Sequence, residues 1–201
     1  ADQHGILRGK TIVASALVSI FTTGLAAPST LLLKDTAHNT VFPVWSEDPG
    51  IDGVISGAGD ILLLPDPATF RTLLWSDHSA WIFCTPRLKS GDPISLSPRD
   101  VLKSAISELN DAGLEMVVGL EVEFHVFERV DPMLDHSNAT MPGTPVKTRN
   151  LAQGYQFLTE TKYAELEGIM DELRRHSQSL GLPVRSFEVE MGPSQFEFTF
   201  D

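Results

Sequence analysis

The 201-residue chain is 42% hydrophobic and 21% charged, with a net charge of −12 and a pI near 4.8. That balance fits a globular protein of one or two domains and argues against a nucleic-acid binder, which needs a basic patch. A single cysteine, Cys84, excludes an intramolecular disulfide and offers no metal framework.

Residues 11–33 carry no charge and follow Arg8 and Lys10, and Gly24-Leu25-Ala26-Ala27 resembles a signal cleavage site. A spanning helix needs about twenty mostly apolar residues, and Ser15, Ser19, Thr22, Thr23, Gly24 and Pro28 interrupt this stretch. The pattern predicts a helix of about ten residues from near Thr11, ended by Gly24, with Leu31-Leu32-Leu33 as a short strand. A further strand is predicted near 39–44. A glycine-rich loop then leads to a strand at 61–64. The apolar runs 72–75 and 80–85 read as strands, with Cys84 a structural thiol in the second.

Ser97 is a good N-cap, with Pro98 at the first helical position and Asp100 at the third. The helix it opens ends at Gly113, with Val101, Leu102, Ala105, Ile106 and Leu109 at helical spacing. A strand over 115–127 follows. Residues 131–152 hold three prolines and read as a long loop. A second helix spans about 160–180, with Leu166, Ile169, Met170 and Leu173 on its buried face, Gly181 as its cap and Pro183 beyond. Strands at 184–190 and 195–201 flank a Gly192-Pro193-Ser194 turn. The domain boundary is expected near 88–97, dividing the chain into 1–92 and 93–201.

Two of these strands carry interleaved carboxylates. In Glu121-Val122-Glu123-Phe124-His125-Val126-Phe127 the alternation puts Glu121, Glu123 and His125 on one face and Val122, Phe124 and Val126 on the other. Same-face neighbours lie about 7 Å apart, close enough to repel unless a cation sits between them. Hard divalent ions such as Mg2+ or Mn2+ take such oxygen ligands. A solvated acidic face is the other reading of one such run alone. In the second run Phe196, Phe198 and Phe200 alternate with Gln195, Glu197, Thr199 and Asp201, and the turn lets Glu190 approach Glu197.

Gly119-Leu120-Glu121-Val122-Glu123-Phe124, followed some seventy residues later by Glu190, Gly192-Pro193, Gln195 and Glu197, resembles the glutamine synthetase superfamily. Leu63-Leu64-Pro65-Asp66-Pro67-Ala68-Thr69-Phe70 and Ser97-Pro98-Arg99 are similar to segments that precede its catalytic domain. The details resemble the bacterial branch that ligates glutamate to organic amines. The resemblance implies an α+β fold: a small β-grasp-like N-terminal domain, then the start of an antiparallel-sheet catalytic domain. Relative to that family the chain looks clipped at both ends, its first strand and later catalytic parts missing, so that these residues alone are expected to be inactive.

By the same resemblance, Glu123, Glu190 and Glu197 are ligands of the metal that orients the glutamate carboxylate. Glu121 is a ligand of a second metal, against the phosphates of ATP, the co-substrate. Tyr155 is similar to a tyrosine near the amine site, or is a loop aromatic packing its ring. Asp52 resembles an aspartate that reaches into a neighbouring subunit's site, or is an Asp-Gly turn. His125 reads as structural and Glu188 as solvated. Ammonia-using members follow that aspartate with two serines; Val54 and Ile55 stand there instead and suit an alkyl or aryl amine. Ser194, where the family usually has glycine, is a smaller departure that puts the turn geometry in question.

The implied activity is ATP-dependent joining of glutamate and an amine in a cytoplasmic homo-oligomeric ring with active sites between subunits. Neither nucleic acid nor membrane is an expected partner. The alternatives are an ammonia-using enzyme or a non-catalytic subunit of the same fold.

Overall fold

The computed structural model describes residues 1–42, 45 and 59–201. The chain forms two compact units, one of 1–70 with 81–116, the other of 71–80 with 117–201. Helices and antiparallel sheets combine in an α+β fold, in agreement with the sequence expectation.

In the first unit a short 3-10 turn runs into α1, Leu17–Thr23, so the predicted helix begins later than Thr11 but ends at Gly24 as expected. Strands β1 (Leu25–Pro28) and β2 (Asp60–Pro65) pair antiparallel, Ala27 opposite Ile61. Leu31-Leu32-Leu33 is not a strand: Ser29–Leu32 is a 3-10 turn, and the Leu33 amide donates to the Thr30 carbonyl. The tight turn drives Leu32 and Leu33 into one core with Ala27, Ile61 and Ile94, whereas a strand would alternate them across two faces. Lys34 and Thr40 form an isolated bridge. Of the strand predicted at 39–44, residues 43 and 44 lie outside the described residues.

Next in the chain come β3 (Arg71–Leu73) and β4 (Ser76–Trp81), a two-stranded pair that falls largely in the second unit, and then β5 (Cys84–Arg87) in the first. The apolar run 80–85 is therefore split, and the polar segment Ser76–Trp81 takes the strand role instead. The first unit's sheet has the order β1-β2-β5. Helix α2, Pro98–Asp111, starts at Ser97, whose backbone carbonyl accepts from the Asp100 and Val101 amides. Its first turn is fastened by Arg87 to Asp100 and by Arg99 to Asp66, and each arginine holds its partner's carboxyl below the usual carboxylate range. Among the described residues α2 buries none of its own side chains.

The second unit carries the three-stranded sheet β6-β10-β9, from β6 (Leu120–His125), β9 (Val184–Val189) and β10 (Gln195–Phe200), all antiparallel. The predicted strand 115–127 is shorter than expected: it begins at Leu120, and it ends at His125, after which the Val126 amide donates to the Ser194 carbonyl. β7 (Phe127–Asp131) then pairs with β8 (Lys147–Asn150). The 131–152 stretch is thus the link and second strand of a hairpin rather than loop throughout.

Helix α3, Glu160–Ser179, lays Leu166 and Met170 against Val189, Phe196 and Phe198, with Leu173 packed at the margin. Phe198 is met edge-on by Phe187 at 4.1 Å and by Phe124 at 5.0 Å between ring centroids. Offset edge contacts of this kind add to the area buried. With α3 covering the phenylalanine face, the opposite face of the sheet is left polar. No helix among the described residues is long and apolar enough to cross a membrane.

Candidate metal centre

Strand parity dictates what the polar face carries, and register arranges it in rows. Glu121, Thr199 and Ser186 form the first row. Glu123, Glu197 and Glu188 form the second. In the third, His125 stands opposite Gln195, whose carbonyl accepts from the Glu190 amide at 3.0 Å. Directly opposed like charges destabilise a sheet, and here three glutamates face one another across adjacent strands about 4.8 Å apart.

Glu123, Glu190 and Glu197 each bring a carboxylate oxygen within 4.8 Å of the other two. Glu197 lies at the centre of this face. Burial, then the charges of Glu121, Glu190, Glu188 and Glu123, push its carboxyl above the usual glutamate value. The set consists of hard oxygens alone, the donor chemistry that suits Mg2+ or Mn2+.

Glu121 shares the face but falls outside the three-carboxylate group, one row away across from Thr199. Glu188 is held by the Ser186 hydroxyl, which donates to it at 2.7 Å. The His125 ring stacks on Phe127 at 5.5 Å and its Nδ1 lies 3.0 Å from the Pro193 carbonyl, consistent with a structural histidine. Tyr155 is 88% exposed, and its amide donates to the Met191 carbonyl at 2.8 Å, next to Glu190. Asp52, Val54 and Ile55 lie outside the described residues.

Two features of this site carry no sequence signal of their role. Gln195 Nε2 donates to Glu123 at 2.5 Å while its Oε1 accepts from the Gly192 amide at 2.6 Å. It steadies one Glu123 oxygen. Its parity with Glu197 places it on the right face, but nothing in the sequence shows the clamp. The second feature is the fit of Gly154: a Cβ there would lie 2.9 Å from the Met191 carbonyl oxygen and 3.0 Å from the Pro193 nitrogen. Only a residue without a side chain lets this segment approach the turn so closely.

Residues 95–201 match the family described as "Glutamine synthetase, catalytic domain". The chain belongs to the glutamine synthetase family. It is 34% identical over 213 residues to the gamma-glutamylanilide synthase of Acinetobacter sp, covering 100% of this chain and 42% of that protein. It is 26% identical to the glutamate–isopropylamine ligase of Pseudomonas sp, over 98% of this chain and 40% of that protein. A solved ligand-free GmaS superposes with a TM-score of 0.66 at 19% identity, covering 98% of this chain and 39% of that one, a likeness of fold. The chain thus spans about two fifths of the length of these relatives.

Proposed function

We propose that the intact protein is an ATP-dependent ligase that joins the γ-carboxylate of glutamate to a substituted organic amine. The observation that carries this reading is the convergence of Glu123, Glu190 and Glu197 from two β-segments onto one cation-sized space. Residues 1–92 would form the small domain and 93–201 the opening part of the catalytic domain.

Transfer of a phosphoryl group from ATP to a carboxylate brings two anions together, so catalysis rests on positioning and charge neutralisation. Glu123, Glu190 and Glu197 would hold one divalent cation and Glu121 would serve a second. When bound, such cations supply the positive charge that screens these anions from one another. Glu123, steadied by Gln195, fixes where the glutamate carboxylate must sit. A γ-carboxylate oxygen attacks the γ-phosphorus of ATP and ADP departs. The amine nitrogen then attacks the carbonyl carbon of the γ-glutamyl phosphate, phosphate leaves, and the nitrogen gives up a proton. Tyr155, whose amide donates to the Met191 carbonyl beside Glu190, would meet the incoming amine, a hydrogen-bonding role suited to a phenol.

The names of the Acinetobacter and Pseudomonas relatives specify an aryl and a branched alkyl amine, and the sequence has the apolar Val54 and Ile55 where, by the resemblance, ammonia-using members have serines. A partner subunit that brings Asp52 to the site would complete it in a homo-oligomeric ring. The test is phosphate release by the intact protein with ATP, glutamate and a panel of anilines, alkylamines and ammonia. Amine-dependent release that exceeds the ammonia rate supports the reading; release with ammonia alone points to the ammonia-using alternative. No release with any amine removes the ligase assignment.

A further inference from the structure

Ser194 occupies a position that should cost energy. Its φ is +58°, a left-handed conformation in which glycine is at ease and a serine is not. Its side chain is also 1% exposed. A buried hydroxyl in strained backbone persists when the surroundings use it, and here they do. The Leu151 and Ala152 amides donate to Ser194 Oγ at 2.6 and 3.0 Å.

Those two bonds belong to a longer lacing. Going along the segment, the Tyr155 amide donates to the Met191 carbonyl at 2.8 Å and the Leu158 amide to the Val189 carbonyl at 2.9 Å. Residues 151–158 therefore run beside 189–194 and bracket Glu190. Within that lacing the Ser194 hydroxyl is the one side-chain acceptor. A glycine would leave both the Leu151 and the Ala152 amide without it, in a place where Ala152 is buried in the core. Across the turn the Ser194 carbonyl also accepts from Val126 at 3.0 Å, just beyond the last β6 residue.

We propose that Ser194 is a positioning residue: its hydroxyl fixes the 151–155 segment on the turn that carries Glu190, and so sets where Tyr155 meets the amine. This rests on the ligase reading given above. It predicts a split between substrates. The glutamates stand on β6, β9 and β10 and their immediate turn, which keep their own ladder, whereas the Tyr155 segment depends on the hydroxyl. Loss of the hydroxyl should therefore disturb the amine and spare the cation.

The experiment compares Ser194→Ala and Ser194→Gly in the intact protein. The glycine variant relieves the positive φ and guards against a folding failure in the alanine variant. The expected result is a rise of about tenfold in KM for the amine, with KM for glutamate and the Mn2+ affinity within about twofold of wild type. Amide hydrogen exchange of Leu151 and Ala152 should accelerate in both variants. An unchanged amine KM overturns the proposal, and so does an equal loss of Mn2+ affinity, which marks general damage to the hairpin. If the wild type turns over no amine, the ligase reading falls and the amine-positioning claim falls with it. The exchange rates still decide separately whether the hydroxyl fixes the segment, and unchanged rates refute that too.

Discussion

Replacing Gln195 by leucine isolates the clamp on Glu123 from the glutamates themselves. Leucine has a similar volume and the strand position is unchanged, but both polar contacts go: the 2.5 Å bond to the Glu123 carboxylate and the 2.6 Å bond from the Gly192 amide. The hydrogen bond to a charged group is the stronger of the two, worth about 1.5–3 kcal/mol. Without it Glu123 is free to swing away from Glu197, its direct cross-strand neighbour and a like charge. Outer-sphere partners of this type typically contribute 10–100-fold to metal affinity, or about 1.4–2.8 kcal/mol. Titration calorimetry with Mn2+ should show Gln195→Leu binding about 10–100-fold more weakly than wild type. Equal Mn2+ affinity in wild type and Gln195→Leu would refute the argument that the clamp positions a ligand.

Other expectations follow from the same geometry. Because the folded-state carboxyl of Glu197 lies above its ordinary value, its contribution to stability without metal is present below the unfolded glutamate pKa and is lost as pH rises through the folded one. Urea midpoints of metal-free protein should therefore gain less from rising pH in the wild type than in Glu197→Gln, and Mn2+ affinity should fall on acidification from above the usual glutamate range. Identical pH profiles for the two proteins would contradict this. Gly154→Ala places a methyl 2.9 Å from backbone and should cost about 1–3 kcal/mol in urea unfolding, with a raised amine KM. Met170→Ala, at a site that is 0% exposed under the phenylalanine face, should cost about 2–5 kcal/mol by the same assay.

The polar and apolar faces of the second unit's sheet are legible in the sequence because strand parity is rigid: Glu121, Glu123, Glu197 and Phe196, Phe198 sort themselves without tertiary information. Parity does not reveal rows. Only pairing register shows that Glu123 opposes Glu197 while Glu121 opposes Thr199, so parity alone does not divide the three-carboxylate group from Glu121; the family resemblance implies that division, and the geometry groups the same three glutamates. Helices α2 and α3 are legible from spacing and from their Pro98 and Gly181 ends. Strands β4 and β8, Ser76–Trp81 and Lys147–Asn150, are not, because both sit in two-stranded ribbons with largely exposed side chains and show no apolar alternation. Leu31-Leu32-Leu33 misleads for the opposite reason: three consecutive apolar residues fit a strand and a buried turn equally well. Ser194 looks like a defect in sequence. Its use appears only once residues 151–152, some forty positions earlier, are seen to donate to it.

The central claim is that Glu123, Glu190 and Glu197 share one ion. Anomalous diffraction from crystals of the intact protein soaked in Mn2+ addresses it directly. A peak within coordination distance of all three carboxylates, absent in Glu197→Gln, is the predicted result. Manganese bound elsewhere, or those carboxylates turned apart with no peak between them, would contradict it.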